Sequence, residues 1–184
     1  YKRQPLKEKA LQTVQPDSIA DAIGAINTVT FQDGIRGYNT DGIGAQKALE
    51  GTGVQIRDQK ILVIGAGGAA KAIAYQLAQA GAEITVANRN TDRGQDLAKQ
   101  VGGRSFSLNE LNRLVPESNI IINATSVGMR EGDPSLINER ILRSDQVVFD
   151  VIYNRKTKLL EDAARSRAKV VDGVMTVSYT HLTL

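Results

Sequence analysis

The stretch "KILVIGAGGAAKAIAYQLAQAG", residues 60–81, leaves few folds open. A β-rich apolar run ends at Gly65, Gly67 and Gly68, and apolar residues at helical spacing then continue to a stop at Gly81. The same alternation continues downstream. "EITVANR" (83–89) predicts a strand, and "TDRGQDLAKQV" (91–101) a helix with Thr91 as its cap. "NIIINATS" (119–126) and "QVVFDVIY" (146–153) predict two more strands, separated by a loop-rich stretch with Gly128, Gly132 and Pro134. A helix over "KLLEDAARSRA" (158–168) then leads to a short strand, "KVVDG" (169–173). Strands and helices in turn predict an α/β fold with a doubly wound parallel sheet. Strands that are apolar on both faces fit it, because helices cover both sides of such a sheet.

Before residue 60 the texture differs. "DSIADAIGA" (17–25) predicts a short helix capped by Asp17 or Ser18. "NTVTFQDGIRGYNT" (27–40) predicts two strands around Asp33-Gly34, a hairpin signal, and a helix follows from Asp41 to Leu49. The glycines of "GTG" (51–53) predict a flexible connection, so the boundary between two units is expected at 51–58.

Composition removes several function classes. With no cysteine there are no disulfides, thiolate catalysis or Cys-based zinc sites, and the single histidine, His181, excludes a His-rich metal site. No run of about 18 apolar residues predicts a membrane span, and no signal-peptide pattern is present. The net charge of +3 is mild, and aromatics at 4% do not interleave with the basic residues, so nucleic-acid binding is not expected. The expected compartment is the cytoplasm.

The glycine loop carries the chemistry. "VIGAGGAA" (63–70) has the form G-x-G-x-x-A through Gly65, Gly67 and Ala70. Gly65 allows a tight turn, Gly67 lets the backbone approach a pyrophosphate, and the small Ala70 lets helix and strand pack closely. The helix N-terminus then offers N–H groups and a partial positive charge to phosphate. Read alone, such a triplet is also compatible with an ordinary turn; its place between strand and helix in a run of βα units favours a dinucleotide. At the next strand end, NAD sites carry Asp or Glu for the ribose 2′-hydroxyl. This chain has Asn88, Arg89 and Arg93. Guanidiniums hold a 2′-phosphate by charge-assisted hydrogen bonds, which favours NADP. The alternative is a pair of surface arginines, but cations at a helix start oppose its dipole.

"QPLKEKA", "GAINTV", "GYNTDG", "VIGAGGAA", "ANRNTDR", "INATSVGM", "VFDVIYN" and "VVDGVM" occur in that order, from Pro5 to about Met175. Together they resemble the shikimate dehydrogenases. The resemblance implies a Rossmann-type NADP-binding domain preceded by the C-terminal part of a smaller α/β substrate domain. It places residues 1–52 in the substrate-binding and catalytic unit and 53–184 in the NADP unit, with an atypical tail at 176–184. The implied reaction is the reversible NADPH-dependent reduction of 3-dehydroshikimate to shikimate, in aromatic amino-acid biosynthesis, by a monomer or homodimer.

The same resemblance assigns roles. Lys7 falls on the catalytic lysine and Asp41 on its partner aspartate. Asn27, Asp41 and Tyr153 contact substrate. Gly65, Ala66, Gly67, Gly68, Ala69, Asn88, Arg89, Arg93, Val151 and Gly173 bind the cofactor, the last two at the nicotinamide. The chemistry fits: reducing a ketone with hydride needs a proton donor at the forming alkoxide, and a carboxylate can orient a lysine for that task. Read singly, Lys7 is a solvated charge, Asp41 an N-cap, Asn27 a turn residue and Tyr153 a strand-end aromatic. Only the ordered set overturns those readings.

Both ends depart from the family pattern. The preceding substrate-domain residues, with paired serines for the substrate carboxylate, are not in this sequence, and Arg3 stands where the family has a substrate-contacting threonine. After "VVDGV" the family's substrate glutamine is missing, with Tyr179 or Thr180 in that region. A truncated fragment that binds NADPH yet reduces 3-dehydroshikimate poorly is therefore expected. A quinate/shikimate dehydrogenase using NAD(P), or a dinucleotide-binding fragment without turnover, are the rival readings.

Overall fold

Consecutive apolar residues in "KILVI", "IIIN" and "VVFD" leave no face for water, and these three segments form the centre of a six-stranded sheet. The computed structural model describes residues 14–31 and 34–174. In that sheet β4 (Lys60–Ile64), β5 (Glu83–Asn88), β6 (Arg104–Ser107), β7 (Ile120–Asn123), β8 (Val147–Asp150) and β9 (Lys169–Val171) run parallel throughout, in the order β6-β5-β4-β7-β8-β9. Counted from its own first strand, this is the third-second-first-fourth-fifth-sixth order of a dinucleotide-binding sheet. The expected Rossmann-type fold is present.

Side chains alternate across the strands, so each strand feeds two cores. Ile61, Val63, Ile120, Ile122 and Phe149 meet α2 (Asp41–Glu50), α3 (Gly68–Gln79) and α4 (Thr91–Gln100) on one face. On the other, Leu62, Ile64, Ile121 and Val148 meet α5 (Leu111–Glu117) and α6 (Lys158–Arg165). Every one of these strand side chains is essentially fully buried, and full burial of a Leu or Ile is worth about 1.5–3 kcal/mol.

Upstream, β1 (Gln15–Pro16), β2 (Thr28–Thr30) and β3 (Arg36–Tyr38) form a separate three-stranded sheet in the order β1-β3-β2. β2 and β3 are antiparallel, with Val29 opposite Gly37, and Gly34 between them takes a positive φ of 107°. Asp33, its expected turn partner, lies outside the described residues. The helix expected over 17–25 is α1 (Ser18–Ile23), and Asp17 is its cap: its Oδ1 accepts the Ala20 amide at 2.7 Å.

Two expectations need correction. The cap of α4 is Asn90, not Thr91, which is already helical; the Asn90 side chain reaches the Arg93 amide at 3.0 Å. Residues Asn119, Ala124–Ser126, Gln146 and Val151–Tyr153 fall outside β7 and β8, which each keep only four residues. The sequence pattern also does not single out β6, α5 or β1. No helix among the described residues is long and apolar enough to cross a membrane.

Candidate functional site

The direction of the crossovers reverses between β4 and β7, and ligands of open α/β sheets bind beyond the strand ends at such a point. The glycine loop sits there. The Gly65 amide donates to the Ala87 carbonyl at 2.8 Å, and its φ of 115° lies in the region that favours glycine. A Cβ at Gly65 would stand 2.9 Å from the Ala124 carbonyl oxygen just past β7, so only glycine lets the turn pack this closely against that backbone. Gly67 is the N-cap of α3, extended at φ −85° and ψ −177°, and no side chain caps the helix. The first-turn amides of Gly68 and Ala69 are thus left to a ligand or solvent, as a phosphate cradle requires.

One strand over, at the end of β5, Asn88 donates through Nδ2 to the Asn90 carbonyl at 2.8 Å and fixes the turn into α4. Arg89 and Arg93 are exposed, and neither forms an ion pair with a described residue. Gly94 keeps α4 close to the sheet, since a Cβ there would meet the Ser105 hydroxyl at 2.7 Å. The structure therefore brings the loop and the two guanidiniums to neighbouring strand ends.

The second cluster lies upstream. Asn27 Nδ2 donates to Asp41 Oδ1 at 2.7 Å. Asn27 Oδ1 in turn accepts the Thr40 amide at 3.0 Å and the Thr28 hydroxyl at 3.0 Å. Asn39, buried, donates to the Ala25 carbonyl at 3.0 Å and accepts the Asp41 amide at 3.1 Å. Asp41 opens α2 as its first helical residue; Thr40 holds the N-cap position, its hydroxyl turned to Asn27 Oδ1 rather than to a helix amide. The capping role open to Asp41 is thus not the one it fills. Lys7 lies outside the described residues, as do Arg3, Tyr179 and Thr180.

Two close contacts tie this cluster to the glycine loop and the helix it opens. Gly42 lies so near α3 that a Cβ would be 2.5 Å from the Ala72 carbonyl oxygen, and the Ala25 methyl lies 3.8 Å from the Cβ position of Gly68. Gly42, Asn39 and Thr40 were not among the residues expected from the sequence. A glycine directly after an aspartate at a helix start reads as a turn; the close approach is visible only with the partner helix present.

Val151 and Gly173 meet at the ends of β8 and β9: a Cβ at Gly173 would be 2.4 Å from the Val151 carbonyl oxygen. Tyr153 follows, 53% exposed, with no hydrogen bond to a described residue. Behind these residues lies a buried polar network that the sequence reading left out. Asp150, fully buried, accepts the Ile152 amide and Asn123 Nδ2 on Oδ1, both at 3.1 Å, and the Thr157 hydroxyl on Oδ2 at 2.7 Å. Burial pushes its carboxyl above the ordinary value of 3.8, against the pull of those three donors. An aspartate inside the apolar run "VVFDVI" was the available signal.

That shift has a sign. The folded state holds the Asp150 proton more tightly than the unfolded chain, so its contribution is full below about 3.8 and is lost as pH rises through the folded-state value. In melts across the acid range, the stability of the wild type relative to Asp150→Asn should therefore decline as pH rises. An advantage that grew with pH would contradict the assignment.

Comparison with known proteins follows the same geometry. The family described as "Shikimate / quinate 5-dehydrogenase" matches residues 45–160. Shikimate dehydrogenase (NADP(+)) of Methanothrix thermoacetophila is 57% identical over 175 residues, covering 95% of this chain and 65% of that protein. The crystal structure of shikimate dehydrogenase from Aquifex aeolicus superposes with a TM-score of 0.88 at 35% identity, over 94% of this chain and 65% of that one. A Thermus thermophilus shikimate 5-dehydrogenase in complex with NADP(H) and shikimate gives a TM-score of 0.85 at 32% identity, over 95% and 66%. The chain thus spans about 65% of the length of the relatives it matches.

Proposed function

Since the chain belongs to the shikimate/quinate 5-dehydrogenase family, we propose that it carries the NADP-binding half and part of the substrate half of an enzyme that interconverts 3-dehydroshikimate and shikimate. One observation carries the reading: the glycine loop at the reversal point of the sheet and the Asn27–Asp41 pair pack against the same helix, α3, through Ala25 and Gly42. A nucleotide on that loop and a substrate on that pair would be neighbours.

NADPH, when bound, supplies the hydride that adds to the ketone carbon. Gly65, Ala66, Gly67, Gly68 and Ala69 would hold its pyrophosphate, on a turn whose bare Gly65 packs against the Ala124 backbone. Asn88 shapes the turn that presents Arg89 and Arg93 to the 2′-phosphate. Val151 and Gly173 would bound the nicotinamide, and Tyr153 would face substrate from the end of the same loop. On the substrate side, Lys7 gives a proton to the oxygen that becomes the hydroxyl, and Asp41 orients that lysine. Asn27 fixes Asp41 through Nδ2 and offers its remaining hydrogen to a substrate hydroxyl. Residues 1–52 belong functionally to substrate and 53–184 to cofactor. The protein works in the cytoplasm as a monomer or homodimer.

The test is a titration of this chain with NADPH and with NADH, followed by assay of reduced-nicotinamide consumption with 3-dehydroshikimate. For the assay the chain replaces its matching segment in the Methanothrix thermoacetophila relative. Tighter binding of NADPH and turnover of 3-dehydroshikimate are expected. Equal affinity for the two cofactors would defeat the 2′-phosphate assignment, and a chimera without turnover would defeat the substrate assignment.

A further inference from the structure

Asp150 ends β8, and three segments send it a hydrogen-bond donor: the Ile152 amide just beyond it, Asn123 at the end of β7, and Thr157 before α6. The side chains of Asp150, Asn123 and Thr157 are at most 2% exposed, and no cation pairs with the carboxylate among the described residues. Removing a carboxylate from water without a countercharge is costly, so burial alone gives no reason for one here. Its geometry does. A carboxylate accepts through two oxygens and donates nothing, so it can gather donors from three directions at one point.

Each partner extends the reach of that point. Asn123 also donates to the Val127 carbonyl at 3.1 Å and accepts the Thr125 amide at 3.1 Å and hydroxyl at 2.7 Å. The Thr125 hydroxyl in turn receives the Val127 amide at 3.1 Å, which closes the loop after β7 on itself. Thr157 caps α6 and touches the chain at Gly128, where a Cβ would stand 3.1 Å from its methyl. The Ile152 amide holds the turn that carries Val151, whose carbonyl lies against Gly173.

We propose that Asp150 is a positioning residue for the nicotinamide end of the cofactor. It sets the loops after β7 and β8 and, through them, the Val151–Gly173 wall, without touching the cofactor itself. This rests on the NADP reading above. The adenosine end is held elsewhere, by the glycine loop and the end of β5, so the two ends of the ligand should respond differently.

The experiment uses two probes on the 184-residue chain: NADPH, and adenosine 2′,5′-bisphosphate, which lacks the nicotinamide. Asp150→Ala should weaken NADPH by about tenfold or more, as expected when buried donors lose their acceptor, and leave the bisphosphate within about twofold. Asp150→Asn, which can still accept the Ile152 amide, should recover most of the lost NADPH affinity. Thr157→Val, nearly isosteric, should shift NADPH in the same direction by less, and it decides the matter if Asp150→Ala does not fold by circular dichroism. Equal losses for both probes would mean a general loosening and overturn the proposal, as would unchanged NADPH binding in both Asp150→Ala and Thr157→Val. A wild-type chain that bound neither probe would instead remove the NADP reading on which this one stands.

Discussion

Neutralising Arg89 and Arg93 together should lower NADPH affinity by about 10²-fold or more and barely change NADH affinity, because in the proposed site each guanidinium would make charge-assisted hydrogen bonds to a 2′-phosphate that NADH lacks. The two side chains stand at the start of α4, where the helix dipole disfavours a cation, and they have no ion-pair partner among the described residues. Removing them should therefore cost the fold little. Asn90 caps α4 without them, and Gly94 seats the helix on β6. Replacing Arg89 and Arg93 with Gln keeps length and polarity, and titration of the variant with both cofactors gives the answer. Parallel losses for NADPH and NADH would show that the arginines act through the fold or through the pyrophosphate rather than through the 2′-phosphate.

Asp41→Asn should cut turnover of 3-dehydroshikimate by roughly 10²–10⁴-fold, the range for lost acid–base catalysis, with NADPH binding intact. The change is nearly isosteric, yet it removes the charge that in the proposed mechanism orients Lys7. It can also set an amide nitrogen opposite Asn27 Nδ2, which now donates to Asp41 Oδ1. The Asn39 contact to the Asp41 amide is a backbone one and should survive, so α2 keeps its start. The measurement belongs in the Methanothrix thermoacetophila chimera, with kcat and cofactor affinity read separately. Turnover close to the parent would take Asp41 out of the proton path.

Fold class was legible because the strongest signals were local. "KILVI" and "VVFD" are apolar on both faces, and Gly65 and Gly81 bracket a helix of the expected length. The elements left out lack such signals. β6 is "RSFS", a four-residue edge strand whose pairing with β5 supplies what its sequence does not. α5 contains Pro116, which reads as a breaker, and the helix does end one residue later at Glu117, so only a seven-residue piece forms. The site divides the same way. Glycine-loop and arginine positions follow from spacing along two successive βα units, whereas the Asn27–Asp41 bond joins residues 14 apart and rests on family resemblance. Asp150 carries no local signal of its network because its two side-chain partners, Asn123 and Thr157, come from other segments.

Where α2 packs decides how this protein could be divided. Although α2 follows the small sheet in sequence, its Ala45, Ala48 and Leu49 are buried in the same core as β4 and β7, and Gly42 abuts the backbone of α3. A fragment excised from residue 53 onward would strip that helix away and leave an oily scar on the nucleotide sheet. One begun near Asn39 would carry its own cover. It follows that if the substrate side swings relative to the cofactor side during turnover, the glycine-flanked connection after α2 is not the pivot, because α2 is packed into the nucleotide sheet's core. Asp41, the first residue of α2, would then move with the nucleotide sheet.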